Sequence, residues 1–285
     1  MLSKLLKHEW KSVTKVLFPV NLGIILLTII GSIILSTELF DSRESFPLAL
    51  FLLILYALSL MSFTFITMIY VYVRFYKNLF TAEGYLMYTL PVTPIQLFHS
   101  KFLVGCFWCT FNSLLSVLST TILGFCAGFH AAATDNMNNL VNFYLDGALS
   151  DTMEKTEETF SFSDAFGYSP AVFILMLLLL LLTCCVSSVL MGYLSILLGQ
   201  LIEKYKLAAS IGFYIVIYLA TQTITSLVML IPNLHLLMSE LEPGENFMSK
   251  YFINFFPVTI VSQVILSIIF YLASHLLMRR KVNLD

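Results

Sequence analysis

Charged side chains are scarce in this sequence. Only 11% of its 285 residues are Asp, Glu, Lys or Arg, whereas 59% are hydrophobic. A water-soluble protein of this length needs more charge to cover its surface, so the composition excludes an ordinary soluble fold. With a formal net charge of −2, the chain also lacks the strongly basic balance of nucleic-acid-binding proteins, and we expect no nucleic-acid partner.

Motifs that hold nucleotides, metals or catalytic nucleophiles are missing as well. The chain has neither a G-x-x-x-x-G-K-[ST] phosphate loop, the element that would bind ATP in that mode, nor an H-E-x-x-H zinc motif. Its five histidines are scattered singly, and its five cysteines all fall inside apolar stretches, which leaves no disulfide framework outside a membrane. We therefore predict that the chain is not an enzyme: it has no catalytic residue, no metal site and no bound cofactor.

Long apolar stretches are what the sequence has in abundance. A helix needs roughly 20 apolar residues to cross a bilayer, and the absence of period-2 alternation favours helices over a transmembrane barrel. Six stretches are long enough: Val16–Thr37, Phe46–Val73, Phe102–Phe129, Ala171–Gly199, Leu207–Ile231 and Phe252–Met278. We predict an all-α integral membrane protein whose residues 1–285 form a single transmembrane domain of six helices.

The basic residues set the predicted orientation. With both termini inside, the outer loops hold only Arg43, Lys155 and Lys250 of the 15 Lys and Arg residues. Cytoplasmic segments carry the excess of Lys and Arg in multi-pass proteins. We therefore predict a multi-pass plasma-membrane protein with both termini in the cytoplasm. The acidic residues 130–169 then form an extracellular loop, which holds either an amphipathic surface helix or a solvated stretch.

Two further segments have patterns of their own. Residues 1–15 place Leu2, Leu5, Leu6, Trp10 and Val13 on one helical face, with lysines on or near the other. This pattern predicts a separate amphipathic helix in the inner headgroup layer, with an unstructured basic tail as the alternative. Residues 232–253 are interrupted by Pro232 and by a Pro-Gly turn at 243–244, which predicts a break after the fifth span and an extracellular re-entrant segment.

Residues 78–101 are built as an elbow between the second and third spans. Pro91 disfavours the α conformation at Leu90 and so ends a short helix there. Thr93-Pro94-Ile95-Gln96 then supplies an N-cap, a proline at the first helical position and a glutamine at the third, which together predict a capping box. A rigid helix–break–helix segment at the cytoplasmic face can transmit force to the spans that flank it.

This elbow resembles a segment of the permease subunits of bacterial type-2 ABC exporters, and the predicted six-span plan is similar to theirs too. The matching residues are Glu83, Gly84, Leu90, Pro91, Val92, Thr93, Pro94 and Lys101. The resemblance implies an export permease that forms half of a translocation pathway with a second permease subunit, identical or paralogous. A separate cytosolic ABC ATPase subunit would hold the ATP and Mg²⁺. The extracellular loop 130–169 is longer than this family leads us to expect.

The same resemblance implies which residues dock the ATPase. They are Glu83, Gly84, Tyr85, Leu90, Pro91 and Pro94 of the elbow, together with Trp10 of the N-terminal helix. Because Glu83 is the only acid between spans two and three, it can pair with a cation of a docked subunit or with Lys77 of this chain.

Candidate residues of the translocation pathway are chosen by excluding charged side chains. No Asp, Glu, Lys or Arg lies near the middle of a span, although proton- or ion-coupled transporters usually have such groups. Cargo would then be handled by Asn112, Tyr218 and Gln222, whose alternative role is hydrogen bonding between helices. The alternative functions are a stand-alone membrane-embedded enzyme or lipid-handling protein, and a channel or sensor subunit. Peptide antibiotics, lipids and drugs are all open as cargo.

Overall fold

Six long helices make up the architecture. The computed structural model describes residues 2–35, 46–81, 93–133, 166–202, 204–238 and 247–281. The helices are α1 (Leu2–Leu35), α2 (Phe46–Phe80), α3 (Pro94–Ala133), α4 (Pro170–Gly199), α5 (Lys206–Met238) and α6 (Phe247–Lys281). All six are long and apolar enough to cross a membrane, and the described residues contain no strand. The predicted all-α architecture with six long apolar helices is confirmed, and it is compatible with a multi-pass membrane protein.

The first helix differs from its prediction. α1 is one continuous helix of 34 residues, so the N-terminal residues are helical, as predicted, but they continue into the first span and do not form a helix of their own. Neither Lys15 nor Val16 is a helix-breaking residue, and Pro19 is accommodated inside the helix. Prolines are tolerated in membrane helices because neighbouring helices and local adjustments satisfy the freed backbone groups.

The fifth helix is also longer than expected. α5 continues through Pro232 to Met238, so the predicted break at Pro232 is wrong for the same reason. Residues 239–246 lie outside the described residues, and the turn at 243–244 and the re-entrant course stay predictions. Residues 134–165, most of the predicted extracellular loop, also lie outside the described part of the chain.

The packing divides into two compact units. The first unit comprises residues 1–12, 68–110 and 160–285, and the second comprises residues 13–67 and 111–159. In the first unit, α4 packs against both α5 and α6, and α5 also contacts α6. Residues 189–197 of α4 are all buried, which makes the second half of this helix the centre of that unit.

The second unit is held by polar contacts between apolar helices. Asn112 of α3 donates its amide to the Asn21 side-chain oxygen of α1 over 3.3 Å, and both residues are buried. Gly23 of α1 lies against the Phe63 ring of α2, which would have to shift to make room for a larger side chain at that position. Interhelical hydrogen bonds and small residues at contacts are typical of membrane helix packing.

Candidate functional site

Three charged residues of the first unit form a buried ion cluster. Arg74 Nε of α2 donates to Glu9 Oε1 of α1 over 2.6 Å, and Lys101 Nζ of α3 donates to Glu9 Oε2 over 3.3 Å. Glu9 is 5% exposed and Lys101 is 3% exposed. Arg74 also donates to the Tyr70 hydroxyl. One carboxylate therefore joins three helices through its two oxygens.

The ion cluster joins the two helices that flank residues 82–92. Arg74 lies on α2, before residues 82–92, and Lys101 lies on α3, after them. Glu9 thus ties the N-terminal part of α1 to both helices that bracket the predicted elbow. Removing one member of a buried ion pair typically costs about 3–5 kcal/mol, because the remaining charge is left without compensation. The helix ends on either side of the elbow are accordingly held in a fixed arrangement.

A buried tyrosine supports the same helix ends. The Tyr193 ring of α4 stacks on Phe75 of α2, with ring centroids 3.9 Å apart, and meets Phe98 of α3 edge-on at 6.0 Å. The Tyr193 hydroxyl donates to the Lys101 backbone oxygen over 3.2 Å. A Cβ on Gly105 would lie 2.9 Å from that hydroxyl, so glycine is what lets α3 approach. The packing and the ion cluster converge on Lys101.

The start of α3 has the predicted cap. Thr93 Oγ1 accepts from the Gln96 backbone N–H, and Gln96 Oε1 accepts from the Thr93 backbone N–H, both over 3.4 Å. This reciprocal arrangement is a capping box, and α3 begins at Pro94 as expected. The remaining elbow residues singled out by the sequence lie outside the described residues: Glu83, Gly84, Tyr85, Leu90 and Pro91.

Trp10 lies next to the ion cluster on α1. Its ring centroid is 4.4 Å from that of Phe107 and 6.1 Å from that of Trp108, both on α3. It remains 38% exposed, so part of the indole packs on α3 and part faces outward. This placement is compatible with either a membrane-interface or a docking role.

The chain matches no known protein family, no curated protein and no solved structure. The resemblance to exporter permeases therefore rests on the elbow sequence and the six-helix plan, and it stays a prediction. No group of three or more His, Cys, Asp or Glu side chains suited to a metal ion occurs among the described residues.

The proposed pathway residues fall into two different environments. Asn112 is buried in the second unit, where it bonds to Asn21. Tyr218 and Gln222 are one turn apart on α5 in the first unit, and both are exposed. Tyr218 stacks on Tyr214, with ring centroids 6.4 Å apart. Asn112 therefore has the helix-linking contact given above as its alternative role, whereas Tyr218 and Gln222 present a polar face outward.

α5 is the least buried of the six helices. Within Lys206–Leu230, the most apolar stretch of 18 residues contains no buried residue. In the other five helices, 11–33% of the residues in the corresponding stretch are buried. The Gln222 side chain makes no hydrogen bond with another described residue. A carboxamide in hydrocarbon costs free energy unless it finds a polar partner, so this face of α5 is suited to protein rather than lipid.

Sequence reasoning missed Glu9. It is the only acidic residue among the first 37, and it follows the spacing of the buried residues Val13 and Leu17 on α1. A lone carboxylate on the apolar stripe of a basic helix indicates a buried cation on another helix. Arg74 and Lys101, placed at the ends of the flanking spans, were the available candidates.

Proposed function

We propose that this chain is the permease subunit of an ATP-driven exporter of the type-2 ABC class. It would form half of a translocation pathway and couple to a separate cytosolic ATPase subunit. The six apolar helices support the transmembrane part of this proposal. The elbow sequence and its capping box support the coupling part.

The observation that carries the proposal is the attachment of three helices beside the elbow. An ATPase that pushes on residues 82–92 moves helices only if the ends of that segment are firmly held. The Glu9 cluster and Tyr193 hold these ends through buried contacts from α1 and α4. With both termini in the cytoplasm, as the basic residues predict, this rigid base faces the ATPase.

The second permease subunit has a proposed position as well. The exposed face of α5 that carries Tyr218 and Gln222 would pack against the partner, where the Gln222 carboxamide can be satisfied. Cargo would pass beside this face. The partner is a second copy of this chain or a paralogous six-helix protein.

The first test concerns the source of energy. We expect the isolated chain to hydrolyse no ATP, because its sequence has no phosphate loop. Tagged protein drawn from native membranes should bring down a protein with a phosphate loop and an ABC signature, as identified by mass spectrometry. Adding that subunit should restore ATP hydrolysis, and replacing its phosphate-loop lysine should abolish it. Hydrolysis by the isolated chain would instead favour the stand-alone enzyme.

A second test separates the elbow from a plain connector. Pro91→Ala combined with Pro94→Ala should soften the predicted helix break, so we expect export per ATP hydrolysed to fall while the complex still assembles. Glu83→Ala should weaken docking only modestly, because exposed ion pairs contribute about 0–1 kcal/mol. Asp151→Ala, in the predicted extracellular loop, is the control. An elbow variant that assembles and exports like the parent would refute the coupling role.

A further inference from the structure

The second unit contains a large cavity that the proposed function does not use. Its volume is about 550 Å³, and it lies between α1, α2 and α3. The residues that shape it include Ile30, Gly31, Leu53, Tyr56, Leu123 and Gly124. All three helices are long and apolar enough to cross a membrane, so the cavity lies within the membrane-crossing part of the protein.

The tyrosine at the cavity wall has no proton to offer a ligand. Its hydroxyl and that of Thr28 both hydrogen-bond to the Ser119 hydroxyl, and Thr28 Oγ1 donates to the Ile24 carbonyl. Because Thr28 uses its proton on the carbonyl, Ser119 donates to Thr28 and Tyr56 donates to Ser119. Every proton in this chain of hydroxyls is therefore used by an acceptor within the protein.

The other hydroxyls on the wall are also occupied. Ser59 Oγ donates to the Leu55 carbonyl of its own helix, and Thr120 Oγ1 donates to the Ser116 and Val117 carbonyls. No charged residue is among the described residues that line the cavity. A ligand here gains burial of apolar surface but no hydrogen bond from a side-chain donor, which selects an aliphatic group.

The volume fits one long hydrocarbon chain. An apolar cavity of about 150 Å³ holds one benzene molecule and stays free of water. At that density, the cavity in this protein accommodates on the order of twenty carbon atoms. Ile30 and Leu53 on its wall are each 55% exposed, so the cavity opens to the surroundings of the helices, which in a membrane are lipid.

We propose that this cavity binds one acyl chain of a membrane lipid. The wall provides a means of blocking it, because a Cβ at Gly124 meets no atom within 4 Å. A Cβ at Gly31, in contrast, would lie 3.2 Å from Leu123. Gly124→Phe therefore has room for its Cβ and adds a ring on the cavity wall. Ala57→Phe blocks the cavity from α2 and serves where the first variant does not fold.

The test uses a phosphatidylcholine with a diazirine midway along one acyl chain. The protein is reconstituted in nanodiscs of phosphatidylethanolamine and phosphatidylglycerol containing this probe. It is then transferred to probe-free detergent and washed, irradiated, and digested for mass spectrometry. We expect adducts to persist at the buried cavity residues Leu60 and Leu123, whereas adducts at exposed Phe65 and Ile69, which do not line the cavity, disappear with the surrounding lipid.

Both blocking variants should lose the cavity adducts. Gly212→Phe is the matched control, because a Cβ at Gly212 in the first unit also meets open space, and it should keep them. Circular dichroism and size-exclusion chromatography establish that each variant is folded. Complete loss of the probe from the parent on washing, or equal adducts in folded blocking variants, would overturn the proposal. Crosslinks between copies at these residues in place of lipid adducts would overturn it too, because they assign the cavity to a protein interface.

Discussion

Glu9→Gln should lower the free energy of unfolding by about 3–5 kcal/mol. The carboxylate accepts hydrogen bonds from Arg74 and Lys101 at positions with little access to water. The amide has nearly the same shape but no charge, so the buried Lys101 and the half-buried Arg74 lose the carboxylate that compensates them. Equilibrium unfolding in mixed micelles with increasing dodecyl sulfate, followed by circular dichroism, measures the loss.

Two further variants identify the cause. Lys11→Gln changes an exposed charge on the same helix and should shift the free energy of unfolding by no more than about 0.5 kcal/mol. Replacing the whole cluster, with Glu9→Leu, Arg74→Met and Lys101→Met together, should restore most of the stability, since buried ion clusters can be exchanged for apolar groups of similar volume. If Glu9→Gln unfolds like the parent, the cluster does not hold the helices together.

Gly199→Ala should destabilise the first unit by about 3 kcal/mol. An added Cβ would lie 2.7 Å from both the backbone nitrogen and the Cα of Ser210, and 2.0 Å from its hydroxyl oxygen. A side chain can rotate away from such a clash, but the backbone of α5 cannot. The whole of α5 must therefore move away from α4, and apolar contacts along this helix pair are lost. The same micelle unfolding experiment reports the change.

A second glycine on the neighbouring helix is the control for this prediction. Gly212→Ala places its methyl group in open space inside α5, where alanine is favoured over glycine by about 0.5–1 kcal/mol, so stability should stay level or rise. Ser210→Gly combined with Gly199→Ala removes the hydroxyl but leaves the backbone contact, so it should rescue only part of the loss. Full rescue would show that the side chain, and not the backbone, sets the approach of the helices.

The six helices could be predicted because their signal is local. An uncharged run of more than 20 residues has few alternatives to a membrane-crossing helix, and the capping box at Thr93 and Gln96 is likewise written in four consecutive residues. The same local signals wrongly predicted helix ends at residue 15 and at Pro232, where the helices continue. Rules learned from soluble helices overestimate the effect of a proline or a polar stretch in a membrane protein.

The contacts of the ion cluster could not be predicted, because their signal is not local. Glu9 lies 65 residues from Arg74 and 92 from Lys101 along the chain, so the contact exists only after three helices have packed. Sequence spacing within one helix indicates which face is buried, but not which residue of another helix meets it. The same limit explains why Asn112 was grouped with Tyr218 and Gln222, although it bonds to Asn21 in the other unit.

The low burial of α5 has a consequence for the turnover of the protein in the cell. If a second permease subunit covers α5, as we propose, a newly inserted copy that lacks it exposes the Gln222 carboxamide on a helix that little else in the described part of the chain covers. Cells continuously triage poorly packed proteins through chaperones and proteases. Unassembled copies would be removed, and the abundance of this subunit would follow the supply of the subunit that covers α5. Where that subunit is a paralogue, this chain would not accumulate in excess of it.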